Sequence, residues 1–155
     1  MAVAYAALGN DGTVLTPHIA DDVESVTGRV LSEIRPSARR HIDISPTTRD
    51  TIMTGLTRAA TEPGGTSYPV FGNFPFAVAG KTGTAQRPNQ PDQSWYMVLA
   101  PAKNPQIVVA VTIERGGFGV DTAAPVAARI LERYFHLPTT PTASSSSAGN
   151  GHTQE

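Results

Sequence analysis

The sequence contains no cysteine among its 155 residues. Disulfides, thiolate nucleophiles and thiolate zinc sites are therefore excluded. Charged residues make up only 16% of the chain and the formal net charge is −1. This balance gives no electrostatic reason to expect nucleic acid as a partner. No apolar run is long enough to span a bilayer.

Histidine is scarce as well. The four histidines lie far apart, at His18, His41, His136 and His152. Side chains that ligate a metal usually recur at short, regular spacings, and these do not. We therefore expect surface or core histidines and no metal site.

Three segments carry helix signals. Residues 1–9 read as the end of a helix stopped by a Gly-Asn-Asp-Gly turn. Residues 46–60 predict an amphipathic helix with Ser45 as its N-cap. A third helix is predicted over 122–135. Its expected buried stripe is Val126, Ile130, Leu131, Tyr134 and Phe135.

Strand signals fill most of the remaining chain. Residues 13–34 predict an edge ribbon of short extended pieces that turns at Thr27-Gly28. Three strands follow at 74–84, 94–101 and 107–114, and the short turns between them predict an antiparallel meander. The expected fold class is α+β, with helices packed on an antiparallel sheet.

Composition divides the chain near residue 137. Residues 138–155 read PTTPTASSSSAGNGHTQE, a low-complexity segment that cannot build a core. We expect one domain over residues 1–137 and a disordered tail over 138–155.

The stretch FAVAGKTGTAQ, residues 76–86, places one of only two lysines between glycines and hydroxyls. The ammonium supplies a positive field, and the neighbouring hydroxyl can hydrogen-bond a carboxylate. Glycine lets a substrate backbone approach, and an N–H beyond it can point at a developing oxyanion. Lys-Thr-Gly alone is a weak signal, because a basic strand end with a turn glycine would look the same.

Three segments carry a family resemblance: VAGKTGTAQ, SWYMVLAPAKNPQIVVAVTIERGG and AAPVAARILERYF. They resemble the end of the transpeptidase domain of class B penicillin-binding proteins, the peptidoglycan D,D-transpeptidases of elongation and division. The resemblance covers about residues 1–137. It implies part of a penicillin-binding, serine β-lactamase-like fold and no cofactor. It also implies the extracytoplasmic face of a bacterial membrane, with the parent protein anchored by a segment outside this chain.

The resemblance also implies roles for four residues. Lys81 would supply the electrostatic field. Thr82 and Thr84 would hold the C-terminal carboxylate of a D-Ala-D-Ala stem peptide or of a β-lactam antibiotic. Gly83 would leave room for that ligand, and the backbone N–H of Thr84 would form half of the oxyanion hole.

The two other motifs of this family are absent. Val78 and Ala100 stand three residues before the two lysines, so there is no Ser-x-x-Lys. None of the serines in residues 1–137 is followed two positions later by asparagine, so Ser-x-Asn is missing too. No nucleophile is therefore expected in this chain. We expect the C-terminal part of a larger transpeptidase, inactive without the missing N-terminal part of its own domain.

Two alternatives stay open from the sequence. One is a non-catalytic interaction module with the penicillin-binding fold, and the other is a fragment of a serine β-lactamase-like hydrolase. Ser94 has no expected base beside it, and Trp95-Tyr96 should pack in the core. Residues 116–119 should be a connector and not a phosphate loop, because no Lys-Ser/Thr follows them.

Overall fold

The computed structural model describes residues 1–138, and within them it contains four helices and seven strands. From residue 139 onward, the predicted tail lies outside the described residues. The elements are α1 (Ala2–Gly9), β1 (Thr13–Leu15), β2 (Asp22–Glu24), β3 (Val30–Glu33), β4 (Ala38–His41), α2 (Pro46–Thr61), α3 (Tyr68–Phe71), β5 (Ala79–Arg87), β6 (Gln90–Ala100), β7 (Ile107–Ile113) and α4 (Ala123–Tyr134).

The long helix α2 begins where its capping residues predict. The Ser45 hydroxyl accepts a hydrogen bond from the backbone N–H of Thr48 at 3.1 Å, and Pro46 occupies the first helical position. The side chain of Arg49 then donates to the Leu8 carbonyl at 2.8 Å. This bond ties the start of α2 to the end of α1, so the two helices lie on the same side of the molecule.

The central sheet is the predicted antiparallel meander, in the order β5-β6-β7. Its first strand begins at Ala79, so the prediction that this strand starts at residue 74 is wrong. Phe74 and Phe76 instead join a chain of ring contacts that reaches Phe135, with centroids 5.2 Å and 4.9 Å apart. Pro75 between them has no N–H to give to a sheet.

Two small ribbons complete the strands. β2 pairs with β3 around the predicted turn, where Gly28 has a φ of +78°. β1 pairs with β4, a strand that the sequence did not predict. Its residues, Ala-Arg-Arg-His, are all exposed and show no apolar alternation. The pair Arg39-Arg40 lies on the surface.

Both faces of the sheet are covered by helices. Successive side chains of a strand point to opposite faces, so the alternating residues of β6 show what covers each face. Tyr96 and Val98 of β6 face α4 and belong to the larger buried cluster. Met97 and Leu99, the alternate residues of β6, pack with residues of α1 and α2 in a second cluster. The core therefore consists of two apolar layers with β6 between them.

The buried face of α4 differs from the predicted stripe. Val126, Ile130 and Tyr134 are 41%, 41% and 48% exposed, whereas Leu131 is fully buried as expected and Phe135 is half-buried. The rest of the face that packs on the sheet consists mainly of alanines, at Ala123, Ala124, Ala127 and Ala128. Small side chains let the helix backbone approach the sheet closely, and the larger aliphatic residues then point outward.

Tyr96 lies at the centre of the larger cluster and is fully buried. Its hydroxyl shares a hydrogen bond of 2.9 Å with the Ser67 hydroxyl, and its ring stacks on Phe71 at 5.3 Å. Burial raises the pKa of Tyr96 far above its ordinary value, although the Ser67 hydrogen bond acts in the opposite direction. The folded state therefore retains the phenolic proton.

We expect the stability of the chain to fall as the pH rises above about 10. In that range Tyr96 loses its proton in the unfolded state, where its pKa is 10.0, but keeps it in the folded state. The free energy of unfolding should then fall by up to about 1.4 kcal/mol per pH unit for this group. Urea titrations at several pH values would measure the slope.

A Tyr96→Phe variant should show a shallower slope above pH 10 than the wild-type chain. Part of the slope should remain, because burial also raises the pKa of Tyr5. An identical slope in both proteins would contradict the prediction.

Across residues 1–138, none of the helices combines the length and apolar character that crossing a bilayer requires.

Candidate functional site

The Lys-Thr-Gly-Thr segment lies on a strand with an open edge. β5 pairs with β6 along one side, and no other described strand pairs with it. The cross-strand partners of residues 80–84 are Val98, Met97, Tyr96, Trp95 and Ser94. The motif is thus paired with a central strand along one edge, while its second edge carries no strand in the described residues.

The motif residues project alternately to the two faces of the sheet. Thr82, opposite Tyr96, lies on the α4 side, and Lys81 lies on the side of α1 and α2. The two side chains nevertheless meet. Lys81 Nζ donates to Thr82 Oγ1 at 3.2 Å and to the Thr82 carbonyl at 3.1 Å. An ammonium and a hydroxyl therefore converge on one short length of strand.

The charge of Lys81 is not neutralised within residues 1–138. Its side chain is exposed, and none of the salt bridges among the described residues involves it. Thr84 is also exposed, and Thr82 and Gly83 are half-buried. A positive charge beside two accessible hydroxyls suits an anion with several acceptor oxygens, such as a carboxylate.

Gly80 anchors the strand directly before the lysine. It is buried, and a Cβ at this position would collide with the hydroxyl of Tyr96 and lie 2.9 Å from its Cζ. Only glycine fits here without moving the tyrosine. Sequence reasoning missed this contact, as well as the bond from Tyr96 to Ser67, because the partners are distant in the chain.

Ser94 has a structural role in the described residues. It is fully buried, and its Oγ donates to the Phe118 carbonyl and accepts from the Ala123 N–H, both at 3.3 Å. These bonds fasten the loop before α4 to β6. The glycine-rich segment 116–119 is a connector, as predicted. The interpretation of Tyr96 as a core residue is confirmed, whereas that of Trp95 is wrong, because Trp95 is only partly buried and belongs to neither core cluster.

Among residues 1–138 there is no group of three or more histidine, aspartate or glutamate side chains that could hold a metal ion.

Comparison with known families decides the relationship. The sequence profile of the penicillin binding protein transpeptidase domain matches residues 1–132, most of the chain. The chain belongs to the penicillin-binding protein transpeptidase family. The resemblance to class B penicillin-binding proteins is thereby confirmed, and the alternative of a β-lactamase-like hydrolase is not favoured.

Several curated relatives of this chain are peptidoglycan D,D-transpeptidases by name. Peptidoglycan D,D-transpeptidase MrdA of Salmonella typhimurium strain LT2 is 32% identical over 152 residues, which cover 87% of this chain and 24% of the relative. The chain thus spans about a quarter of the length of the curated relatives it matches.

Solved structures confirm the α+β fold of the transpeptidase family. The D,D-transpeptidase domain from Eggerthella lenta superimposes with a TM-score of 0.70 at 30% identity, covering 87% of this chain and 31% of that one. Penicillin-binding protein A of Mycobacterium tuberculosis, an imipenem acyl-enzyme complex, gives a TM-score of 0.72 at 24% identity. That match covers 86% of this chain and 29% of the other.

Proposed function

We propose that this chain forms the carboxylate-binding wall of a peptidoglycan D,D-transpeptidase active site. One observation carries the proposal: Lys81 Nζ lies 3.2 Å from the Thr82 hydroxyl on a sheet strand whose second edge is open in the described residues. The family membership supplies the class of reaction.

The ligand would be the C-terminal D-Ala-D-Ala of a stem peptide, lying extended along β5. The terminal carboxylate would accept hydrogen bonds from the hydroxyls of Thr82 and Thr84, and Lys81 would stabilise its charge. Gly83 has no side chain, so the peptide backbone can approach the strand as an added strand would. A β-lactam antibiotic, which also carries a carboxylate, would bind in the same place.

The chemical step needs a serine that this sequence does not provide in a Ser-x-x-Lys motif. That serine, from the rest of the domain, would attack the carbonyl of the penultimate D-Ala and release the terminal D-Ala. An amine of a neighbouring stem peptide would then take the acyl group and free the serine. The backbone N–H of Thr84 would stabilise the oxyanion in both steps, as one of two donors.

The proposed role also indicates a binding partner for the chain and a cellular location for the parent protein. The missing N-terminal part of the transpeptidase domain would be the first partner of residues 1–137, because it would carry the nucleophile. Stem peptides are cross-linked outside the cytoplasm, so we propose that the parent protein acts at the extracytoplasmic face of the bacterial membrane. No cofactor is needed for acyl transfer between a serine and an amine.

A pair of matched peptides tests the carboxylate wall. We expect a peptide ending in D-Ala-D-Ala to shift the amide resonances of residues 81–84 in the ¹⁵N-labelled chain. The same peptide with a C-terminal amide should leave them in place, because the amide lacks the charge that Lys81 recognises. Equal shifts with both peptides, or none with the acid, would contradict the proposed function.

We also expect the chain to form no covalent adduct with a fluorescent penicillin. Without a serine activated by Ser-x-x-Lys, the β-lactam ring has no nucleophile to open it. The measurement is fluorescence of the denatured chain after gel electrophoresis. Penicillin-binding protein A of Mycobacterium tuberculosis, which has been solved as a penicillin G acyl-enzyme complex, is the positive control. A labelled band from this chain would show that one of its own serines reacts.

A further inference from the structure

The loop between β7 and α4, residues 115–119, is fastened to the sheet behind the motif. The Gly117 N–H donates to the Asp92 carbonyl at 3.0 Å, and the Ala124 N–H donates to the Gly119 carbonyl at 2.8 Å. Together with the Ser94 hydroxyl, these bonds attach the loop to both β6 and α4. The loop is therefore held firmly against the sheet.

The last glycine of this loop reaches β5 itself. A Cβ at Gly119 would lie 3.0 Å from Thr82 Cβ and 3.0 Å from the Gly83 carbonyl oxygen, and it would collide with the Trp95 carbonyl oxygen. The contact falls on the α4 face, above the Gly83–Trp95 pair. The Trp95 side chain points to the other face, and Gly83 has none. The backbone of Gly119 therefore packs beside Thr82, where there is no room for a side chain.

Any side chain at this position would have to move one of its neighbours. Trp95 belongs to the central strand, which is paired on both sides, whereas β5 is paired only with β6 in the described residues. An added side chain would therefore push the loop away from the sheet or displace β5, the strand with only one paired edge. A displaced Thr82 would carry its hydroxyl away from Lys81 Nζ, now 3.2 Å distant.

We propose that Gly119 is a positioning residue for the carboxylate-binding hydroxyl of Thr82. The inference rests on the proposed function of the Lys-Thr-Gly strand, and Gly119 itself does not touch the ligand. It acts by letting the loop brace β5 at the one place where the hydroxyl and the ammonium must stay together.

Two alanine substitutions in the same loop separate positioning from stability. Gly119→Ala collides with the Trp95 carbonyl oxygen and presses on Thr82 and Gly83. Gly116→Ala also lacks room, at 2.8 to 3.0 Å from Ser94, Thr122 and Ile113, but it presses on no residue of β5. Both variants should lower the melting temperature of the 155-residue chain.

Only Gly119→Ala should weaken binding of the D-Ala-D-Ala peptide, by about tenfold, as expected when a binding group is displaced by a fraction of an ångström to an ångström. Gly116→Ala should stay within about twofold of wild type, since it reaches β5 only indirectly, through Ser94 opposite Thr84. Equal affinity of folded Gly119→Ala and wild type, or equal weakening by both variants, would overturn the proposal.

Measurements without ligand keep the two proposals distinguishable. In the free chain, Gly119→Ala should shift the Thr82 and Gly83 amide resonances and Gly116→Ala should not, whatever the peptide does. If the wild type fails to bind peptide, the proposed function fails while this pattern still decides the role of Gly119. If Gly119→Ala does not fold, the wild-type chain must show a nuclear Overhauser effect between Gly119 Hα and Thr82 Hβ. Its absence would refute the contact.

Discussion

Replacing Lys81 with alanine is expected to weaken binding of a D-Ala-D-Ala peptide by about ten- to a hundredfold, the usual worth of a charge-assisted hydrogen bond to a carboxylate. The melting temperature should hardly change. The side chain is exposed, and among the described residues its hydrogen bonds go to the neighbouring Thr82. Peptide titrations followed by the amide resonances of β5 would give both affinities.

The sequence offers a matched control in its only other lysine. Lys103 is also exposed but lies in the turn between β6 and β7, away from the motif. Lys103→Ala removes the same charge from the chain and should leave the affinity within about twofold, because an exposed charge elsewhere is screened. If the two variants lost affinity equally, net charge and not the Lys-Thr-Gly strand would explain binding.

Replacing Leu131 with alanine is expected to lower the free energy of unfolding by about 2–5 kcal/mol, the range for a buried leucine cut back to alanine. Leu131 is 0% exposed and belongs to the cluster between α4 and the sheet. Such a loss is a large share of the stability of a domain this size.

The neighbouring residue gives the comparison. Ile130 is equally large and helical but 41% exposed, so Ile130→Ala should cost about 1 kcal/mol or less. Urea denaturation of the two variants and the wild type would measure the difference. Similar costs for both, or a larger cost for Ile130→Ala, would mean that α4 packs with the face that sequence periodicity selects.

Local chemistry predicted much of this fold. Ser45 and Pro46 mark the start of α2 because a hydroxyl acceptor and a preset φ are sufficient on their own. The meander follows from apolar strands joined by short turns, and the motif lies in its first strand where expected. The four candidate ligand-binding residues are consecutive, so placing that strand placed all of them.

The errors arose where distant parts of the chain meet. The α4 stripe was misassigned because hydrophobicity favours Val126 and Ile130, whereas the distance between helix and sheet admits alanine. The start of β5 depends on an aromatic cluster closed by Phe135, far along the chain. β4 is a strand only because β1 pairs with it.

In the candidate site, too, the features set by local sequence could be predicted and those set by distant contacts could not. Gly119 carries no chemistry of its own, and nothing in its sequence neighbourhood points to Thr82, 37 positions earlier in the numbering. Its relevance comes only from the return of the chain after β7 across the face of β6. The structure shows that Gly119 has no room for a side chain, and no sequence motif indicates this.

The open edge of β5 has one more consequence, which concerns self-association. An unpaired strand edge can template pairing with a second copy of the chain, and a lysine on such an edge is one of the common safeguards against this. In an antiparallel pair of two β5 edges centred on the motif, the two Lys81 ammonium groups would repel each other. The residue proposed to attract a carboxylate therefore also discourages the strand from becoming the seed of an aggregate.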